Sequence, residues 1–416
     1  MCFLCWNIEG LKNKVSSSDF VGLISSFDII SCQETWSSDS VYCDKYVKDF
    51  THFECNAKPS VAGGRMMGGV SVFVHQSICE HVKRICDDFE FGVILDIDKS
   101  FFGLDKNCIY CALYFPPEGL PFYNDIHISP WVAFEDILIQ NNLCGLNILI
   151  NGDLNSRTGQ CLDYIESGDD FLSELDEFRD IFEYNSALPR SSRDNTINKA
   201  GRELLKFCKT FSCSIVNGRV GHDKDVGDFT FINQNGSSVV DYFIVSNNLV
   251  NQIVDFNILL RPESCHMPIS LVMKSLKRVA TDACATPYTF YDWSETNIST
   301  YTTDIHNTVL SGVFDKIDDL IDDTNVNINF VLIEFENAIK GCSESIKRTK
   351  IRQLKIKQSW FDNECRLQKR KTINCLKRFR SSRSVNDFNN YITYKKHLRR
   401  YVRKKEVNTN RYLSLD

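Results

Sequence analysis

The feature that most constrains the fold is a series of short apolar runs, each of strand length, in the first two thirds of the chain. Residues 27–32, 70–74 and 146–150 are such runs, and residues 131–141 and 199–211 have the apolar periodicity of helices. Strands outnumber the helices that connect them. The pattern therefore predicts an α/β domain of two packed mixed β-sheets with helices outside.

Charge is divided unevenly along the chain. Residues 1–339 carry 25 Lys or Arg against 48 Asp or Glu, whereas residues 340–416 carry 23 against 6. The cations of the second segment alternate with apolar residues at helical spacing, which favours basic amphipathic helices that lie along a phosphate backbone; a solvated face or a partner-docking segment is the alternative. We predict three parts: an α/β domain at 1–276, an acidic linker or small helical segment at 277–339, and a basic, mainly helical connector at 340–416.

Several classes of protein are disfavoured by the composition. No run approaches the roughly 18 apolar residues of a membrane span, and the N-terminus lacks a secretory signal, so we expect an intracellular protein with no membrane partner. The 18 cysteines are scattered through apolar runs, where free thiols act as small hydrophobic side chains. No dinucleotide-binding glycine motif follows a strand, and the loop at 63–69 lacks the Lys-Ser/Thr of a P-loop.

Polar residues stand where the apolar runs stop, and two of them suit a metal ion. Glu34 follows the buried run at 27–32, and Asn7 lies in an adjacent strand predicted at residues 3–8. A hard divalent cation prefers oxygen ligands, so a strand-end carboxylate and a nearby amide oxygen are natural ligands for Mg²⁺. Each residue alone has a common structural explanation, and only the set points to a site.

Four further polar residues complete a set suited to phosphoester hydrolysis. That reaction needs an aligned water, a charge-stabilised phosphate and a neutralised leaving oxygen. Asp153 and Asn155 lie two residues apart after a buried strand and can serve the water and a phosphate oxygen. His266 can carry a proton or clamp the phosphate, with Asp241 as the partner that orients its ring.

These residues lie in ordered motifs that resemble the endonuclease/exonuclease/phosphatase family over residues 3–274. The motifs are Trp6-Asn7-Ile8-Glu9-Gly10-Leu11, Gln33-Glu34-Thr35-Trp36, Gly68-Gly69-Val70, Leu113-Tyr114-Phe115-Pro116-Pro117, Gly152-Asp153-Leu154-Asn155, Val240-Asp241-Tyr242 and Ser264-Cys265-His266. Within that family, the spacing of the motifs resembles that of the endonucleases of LINE-type (non-LTR) retrotransposons. Residues 198–205, 215–219 and 360–365 resemble the stretch between nuclease and reverse transcriptase in the open reading frames of such elements.

The resemblance implies a DNase I-like four-layer α/β sandwich that nicks DNA with Mg²⁺, or with Mn²⁺ in its place. It also implies roles for individual residues. Carried over by motif, they are Glu34 and Asn7 for the metal, Asp153 for the attacking water, Asn155 and Tyr114 for the scissile phosphate, His266 with Asp241 for the phosphate charge, and Thr230 and Arg65 for substrate binding. DNA is the implied partner, and the basic connector suggests RNA as a second one.

One position departs from the family pattern. Where the family has Ser-Asp-His, this chain has Ser264-Cys265-His266, so a neutral, soft thiol replaces a hard oxygen ligand. Because Asp241, Glu34 and Asp153 remain, we predict impaired rather than absent catalysis.

The same residues leave two alternative functions and lead to two further expectations. A catalytically inactive DNA-binding remnant is one alternative, and a phosphomonoesterase or lipid phosphodiesterase of the same superfamily is another. The chain contains no Tyr/Phe-Ala-Asp-Asp polymerase signature, so we expect a nuclease segment without reverse transcriptase. We expect it to act in the nucleus.

Overall fold

The computed structural model divides the chain into two compact units, residues 1–281 with 355–416, and residues 282–354. It describes residues 1–39, 41–59, 63–119, 129–165, 189–276, 287–291, 293, 295–307, 328–344, 346–351 and 361–413. Parts of the predicted acidic segment, residues 277–286 and 308–327, lie outside the described residues.

The larger unit alternates strands and helices. Its strands are β1 Cys2–Asn7, β2 Ile29–Gln33, β3 Phe50–Cys55, β4 Val70–His75, β5 Val82–Cys86, β6 Gly92–Ile97, β7 Cys108–Tyr114, β8 Asn147–Asp153, β9 Cys213–Ile215, β10 Phe231–Asn233, β11 Gly236–Ser238, β12 Asp241–Ser246, β13 Ile253–Ile258 and β14 Ile269–Met273. Its first five helices are α1 Lys12–Val15, α2 Ser18–Ile24, α3 Gln76–Cys79, α4 Pro130–Gln140 and α5 Lys199–Thr210.

Twelve of these strands form two mixed six-stranded sheets, and β10 pairs with β11 in a separate antiparallel ribbon. The first has the order β13-β14-β1-β2-β4-β3, and the second β5-β6-β7-β8-β12-β9. Only β1 with β2, and β7 with β8, run parallel within these sheets. The glycine-rich loop at 63–69 lies in the connection between the antiparallel neighbours β3 and β4.

Side chains of alternating strand residues build the layers. In β1, Phe3 and Cys5 enter the core between the sheets, whereas Leu4 and Trp6 pack outward with residues of α1 and α2. On the outer face of the second sheet, Phe134 of α4 and Phe207 of α5 pack on its apolar residues. The result is helix, sheet, sheet, helix, which confirms the predicted four-layer α/β sandwich.

The smaller unit contains β15 Pro287–Tyr291, α6 Glu295–Ile305, α7 Ile328–Glu344 and β16 Lys347–Ile351. Its two strands pair antiparallel. Among the residues that are described, no helix combines the length and apolar character that crossing a membrane requires.

The C-terminal region is a helical hairpin of α8 Asn363–Ser382 and α9 Val385–Leu413, as the basic periodicity predicts. Asp362 caps α8 by accepting a hydrogen bond from the backbone N–H of Cys365 at 3.0 Å. Leu376 and Tyr391 are fully buried in the hydrophobic cluster that lies between the sheets. The hairpin therefore shares one core with the sandwich.

Candidate active site

The predicted site residues lie at the ends of strands on one side of the sandwich. In the second sheet Tyr114, Asp153 and Asp241 are register partners across β7, β8 and β12. In the first sheet Asn7 ends β1 beside Gln33, and Glu34 follows directly. Parallel strands place their carboxyl ends at one sheet edge, which is where α/β folds bind ligands.

A hydrogen bond between the two sheets joins the strand-end residues of the first sheet to those of the second. Nδ2 of Asn7 donates to Oδ2 of Asp153 at 2.8 Å, and both side chains are buried. Gly152 allows β8 to reach this position beside β7. A Cβ there would lie 1.9 Å from the carbonyl oxygen of Leu113, and φ is +152°.

Asp153, Asp241 and His266 form a compact titratable group whose ligand atoms lie within 4.8 Å of one another. Nδ1 of His266 lies 3.0 Å from both carboxylate oxygens of Asp241, and Nε2 lies 3.8 Å from Oδ2 of Asp153. Asp241 therefore fixes the ring and directs Nε2 toward Asp153.

Burial and charge set the protonation of this group. Burial raises the pKa of Asp153 to about 7, because the favourable field of His266 offsets only part of the desolvation. Burial lowers the pKa of His266, but the Asp241 and Asp153 carboxylates outweigh it and raise the pKa to about 9. Both shifts favour protonation: the carboxylates favour the imidazolium form of His266, and burial makes Asp153 a stronger base than a free aspartate.

The backbone around His266 is tied to β1. Nε1 of Trp6 donates to the carbonyl oxygen of His266 at 3.0 Å. Oγ of Ser264 donates to the carbonyl oxygen of Asn7 at 2.8 Å and accepts the N–H of His266 at 3.1 Å. The segment that carries His266 is thus registered on the strand that carries Asn7.

Glu34 is held in a second, linked group. The hydroxyl of Tyr114 donates to one of its carboxylate oxygens, and Nε1 of Trp36 donates to the other. Glu34 has φ +55°, a left-handed conformation that turns the chain out of β2 and costs about 1 kcal/mol. The guanidinium of Arg65 lies 3.7 Å from the ring centroid of Trp36, at the exposed side of this group.

The donor set fits a hard divalent cation. Glu34 offers a half-buried carboxylate and Asn7 an amide oxygen, so both assigned donors are oxygens. Each Glu34 oxygen accepts one hydrogen bond in the contacts above, and a carboxylate oxygen has a second lone pair for a cation.

Two predicted residues occupy supporting places. Asn155, at φ +47°, donates its backbone N–H to Oδ1 of Asp153 at 3.1 Å and its Nδ2 to the carbonyl oxygen of Phe115 at 2.8 Å. Thr230 is fully buried, and its hydroxyl accepts the N–H groups of Val240 and Asp241 at 3.1 Å each. Thr230 therefore lies behind Asp241 rather than at the surface of the cleft.

Sequence reasoning did not assign some residues that position the site. Asn217 donates to the carbonyl oxygen of Asp241 at 3.0 Å and accepts the N–H of Phe243 at 3.1 Å. In the sequence, residues 215–219 carry only a family resemblance, which gives Asn217 no role. The available signal is an asparagine followed by glycine, two residues after a short buried strand. Glu9, Lys395 and Arg399 also went unassigned.

Comparison with known proteins gives one family match. Residues 4–258 match the model described as the Endonuclease/Exonuclease/phosphatase family. No curated protein matches the chain.

Three similar solved structures are the catalytic domain of Xenopus laevis APE2, the AP endonuclease LMAP of Leishmania major and the 3′-5′ exonuclease NExo of Neisseria meningitidis. Their sequence identities are 16%, 15% and 12%, and their TM-scores are 0.47, 0.45 and 0.44. Each alignment covers 66% of this chain, with 92%, 87% and 100% of the respective partner chains.

Proposed function

Because the chain belongs to the endonuclease/exonuclease/phosphatase family, we propose that it is a metal-dependent nuclease that cleaves a phosphodiester bond of DNA. One observation carries the proposal. Asn7, Asp153, His266 and Asp241 form a polar chain between the ends of two sheets, in which the Asp153 carboxyl group lies beside the His266 imidazole. A purely structural role gives no reason to bury two carboxylates against one imidazole.

Asp153 is the base that takes a proton from the attacking water. Its pKa near neutrality is the optimum for a general base, because the carboxylate is both available and basic enough. Asn7 and the backbone of Asn155 each donate to one of its oxygens and so orient it.

His266 neutralises charge on the phosphate. Its proton at Nε2 faces the Asp153 side of the cleft, and Asp241 keeps the ring protonated and oriented. An oriented cation stabilises the charge that develops on the pentacovalent centre.

Glu34 and Asn7 are the residues we assign to the metal ion. Their oxygen donors suit Mg²⁺, or Mn²⁺ in its place. When bound, the ion supplies positive charge for the phosphate and leaving oxygens. Tyr114 and Trp36 hold the Glu34 carboxylate in place.

DNA is the substrate that the charge distribution favours. Four exposed cations, here called the basic face, lie on α9: Lys396, Arg400, Arg403 and Lys404. Lys395 precedes Lys396 in α9 and contacts Ser264, two residues before His266. The basic face therefore begins close to the segment that carries His266. Cations at that spacing bind a phosphate backbone, and RNA is a second polyanion that they fit.

The biological setting we propose is target-site nicking by a LINE-type retrotransposon, in the nucleus. The ordered motifs and spacers of the sequence support this setting.

Nicking of supercoiled plasmid tests the proposed function. We expect the full chain to nick in Mg²⁺, chelation to stop the reaction, and Asp153→Asn to lower the rate at least about 10²-fold. Asp136→Asn, an exposed carboxylate on α4, is the matched control and retains the wild-type rate.

Other outcomes would replace the proposal. Salt-dependent retention of DNA without nicking indicates the inactive DNA-binding remnant. Release of phosphate from a small monoester, or cleavage of a phospholipid, without nicking indicates the other activities of the superfamily.

A further inference from the structure

One face of α9 points inward, although the helix is strongly basic. Tyr391, Lys395 and Arg399 are spaced four residues apart and so share that face, although the Arg399 side chain is 46% exposed. Tyr391 is fully buried, and Lys395 is only 4% exposed. Burial lowers the pKa of Lys395 to about 8. Burying an ammonium group costs free energy unless its hydrogen bonds are satisfied, so the contacts of this group must offset that cost.

Lys395 holds the segment that carries His266. Its Nζ donates to the carbonyl oxygen of Ser264 at 2.7 Å and lies 3.4 Å from that of Ile232. Ile232 in turn donates its N–H to the carbonyl oxygen of Cys265 at 2.9 Å. Ser264 is the residue whose hydroxyl joins Asn7 to His266. Lys395 thus fixes the junction between the two halves of the site.

Arg399 holds the segment that follows Asn7. It donates to Oε2 of Glu9 at 2.7 Å, and the same oxygen accepts the N–H of Cys265 at 3.1 Å. The backbone N–H of Glu9 donates to Oδ1 of Asn7 at 3.2 Å. The Sγ of Cys265 also lies 3.6 Å from the guanidinium. Glu9 therefore links Arg399 to the orientation of Asn7.

We propose that Lys395 and Arg399 are positioning residues of the nuclease site. One face of the C-terminal helix fixes residues 264–266 against residues 7–9, so that His266 meets Asp241 and Asn7 meets Asp153. The inference rests on the proposed function. In it, the C-terminal hairpin positions the residues of the site as well as binding DNA.

Kinetics of plasmid nicking by the full chain test the proposal. Because displacements of about 1 Å at a reacting centre cost about 10²-fold in rate, Lys395→Met lowers kcat by about that factor and leaves KM within about twofold. Lys396→Met, at the next residue on the basic face, raises KM and leaves kcat within about twofold. Lys206→Met, an exposed lysine of α5, changes neither.

Arg399 offers a conservative rescue. Arg399→Met lowers kcat, whereas Arg399→Lys restores most of it, because an ammonium retains the charge that pairs with Glu9. Equal losses in both Arg399 variants, or a Lys395→Met effect confined to KM, would contradict the positioning role.

Amide exchange of the metal-free protein separates this inference from the proposed function. Lys395→Met accelerates exchange at Cys265 and His266 at least about tenfold, while Phe243 in β12 and the free energy of unfolding change little. Unchanged exchange at 265 and 266 overturns the inference even if the wild type nicks DNA. Faster exchange there supports it even if the wild type cleaves another phosphoester.

Discussion

At the scale of single residues, the site depends on charges that are buried together. Asp153 and Asp241 are each 1% exposed, and His266 between them is the cation that makes their burial tolerable. The thiol of Cys265 lies next to this group, beside Glu9 and Arg399. Burial raises the pKa of this thiol, so a neutral side chain lies between charged neighbours, at the position where the sequence likeness predicts an aspartate.

Cys265→Asp is expected to raise the nicking rate in Mg²⁺ at least about tenfold, which corresponds to about 1.4 kcal/mol of transition-state stabilisation. The physical reason is that a hard oxygen ligand replaces a soft thiol. The cations of Arg399 and Lys395 also lie near enough to stabilise the added negative charge. Initial rates on supercoiled plasmid measure the effect. Cys265→Ser, which adds no charge, is the control. An unchanged rate in Cys265→Asp shows that Cys265 does not limit the wild type.

At the scale of elements, the site requires β7 and β8 to approach closely at their carboxyl ends. Leu113 and Gly152 are register partners there, one residue before Tyr114 and Asp153. The absence of a side chain at 152 lets the ladder continue to its last pair. Strand geometry at this point therefore decides the separation of the two polar side chains.

Gly152→Ala is expected to lower the free energy of unfolding by about 2–4 kcal/mol, since its Cβ would overlap the carbonyl oxygen of Leu113 and φ is positive. The urea midpoint of unfolding measures it. Gly145→Ala serves as the comparison, because the nearest atom to its Cβ is Nζ of Lys106 at 3.8 Å. Similar midpoints for both variants would mean that β7 and β8 separate at little cost.

At the scale of the whole larger unit, ion pairs fasten the C-terminal hairpin to the sandwich. Nζ of Lys369 lies 2.6 Å from Oδ2 of Asp19 and 2.5 Å from Oε1 of Glu263. Burial raises the pKa of each carboxyl group, but the Lys369 ammonium outweighs burial and the net shift is downward. Both groups are therefore held as carboxylates in the folded chain.

This arrangement predicts acid sensitivity. A carboxyl group whose pKa is lower in the folded chain binds fewer protons in the folded than in the unfolded state. Its contribution to stability is therefore complete above its pKa in the unfolded chain, about 4. That contribution is lost as the pH falls through its pKa in the folded chain. We expect the urea midpoint to fall between pH 5 and pH 3, and to fall less in Lys369→Met. Lys371→Met, an exposed neighbour, should follow the wild type. An equal fall in all three proteins would assign the acid sensitivity to other groups.

The short apolar runs at residues 27–32, 70–74 and 146–150 predict β2, β4 and β8, and helical periodicity predicts α4, α5 and the helical C-terminal region. The strands β3, β5 and β13 escaped prediction. They lie at sheet edges, where polar residues such as Lys83, Arg84 and Asp255 interrupt the apolar run. The interior strand β6 is not predicted either, and its sequence offers no physical reason.

The sequence by itself determined which polar residues lie at the strand ends, because these residues directly follow near-continuous apolar runs that are buried on both faces. Only the tertiary structure decided that Asn7 meets Asp153, since these residues belong to different sheets and are 146 positions apart. It also decided which face of α9 is buried. Helical periodicity defines the faces of a helix, but the neighbour that covers one of them is set by packing, and here that neighbour is the segment bearing His266.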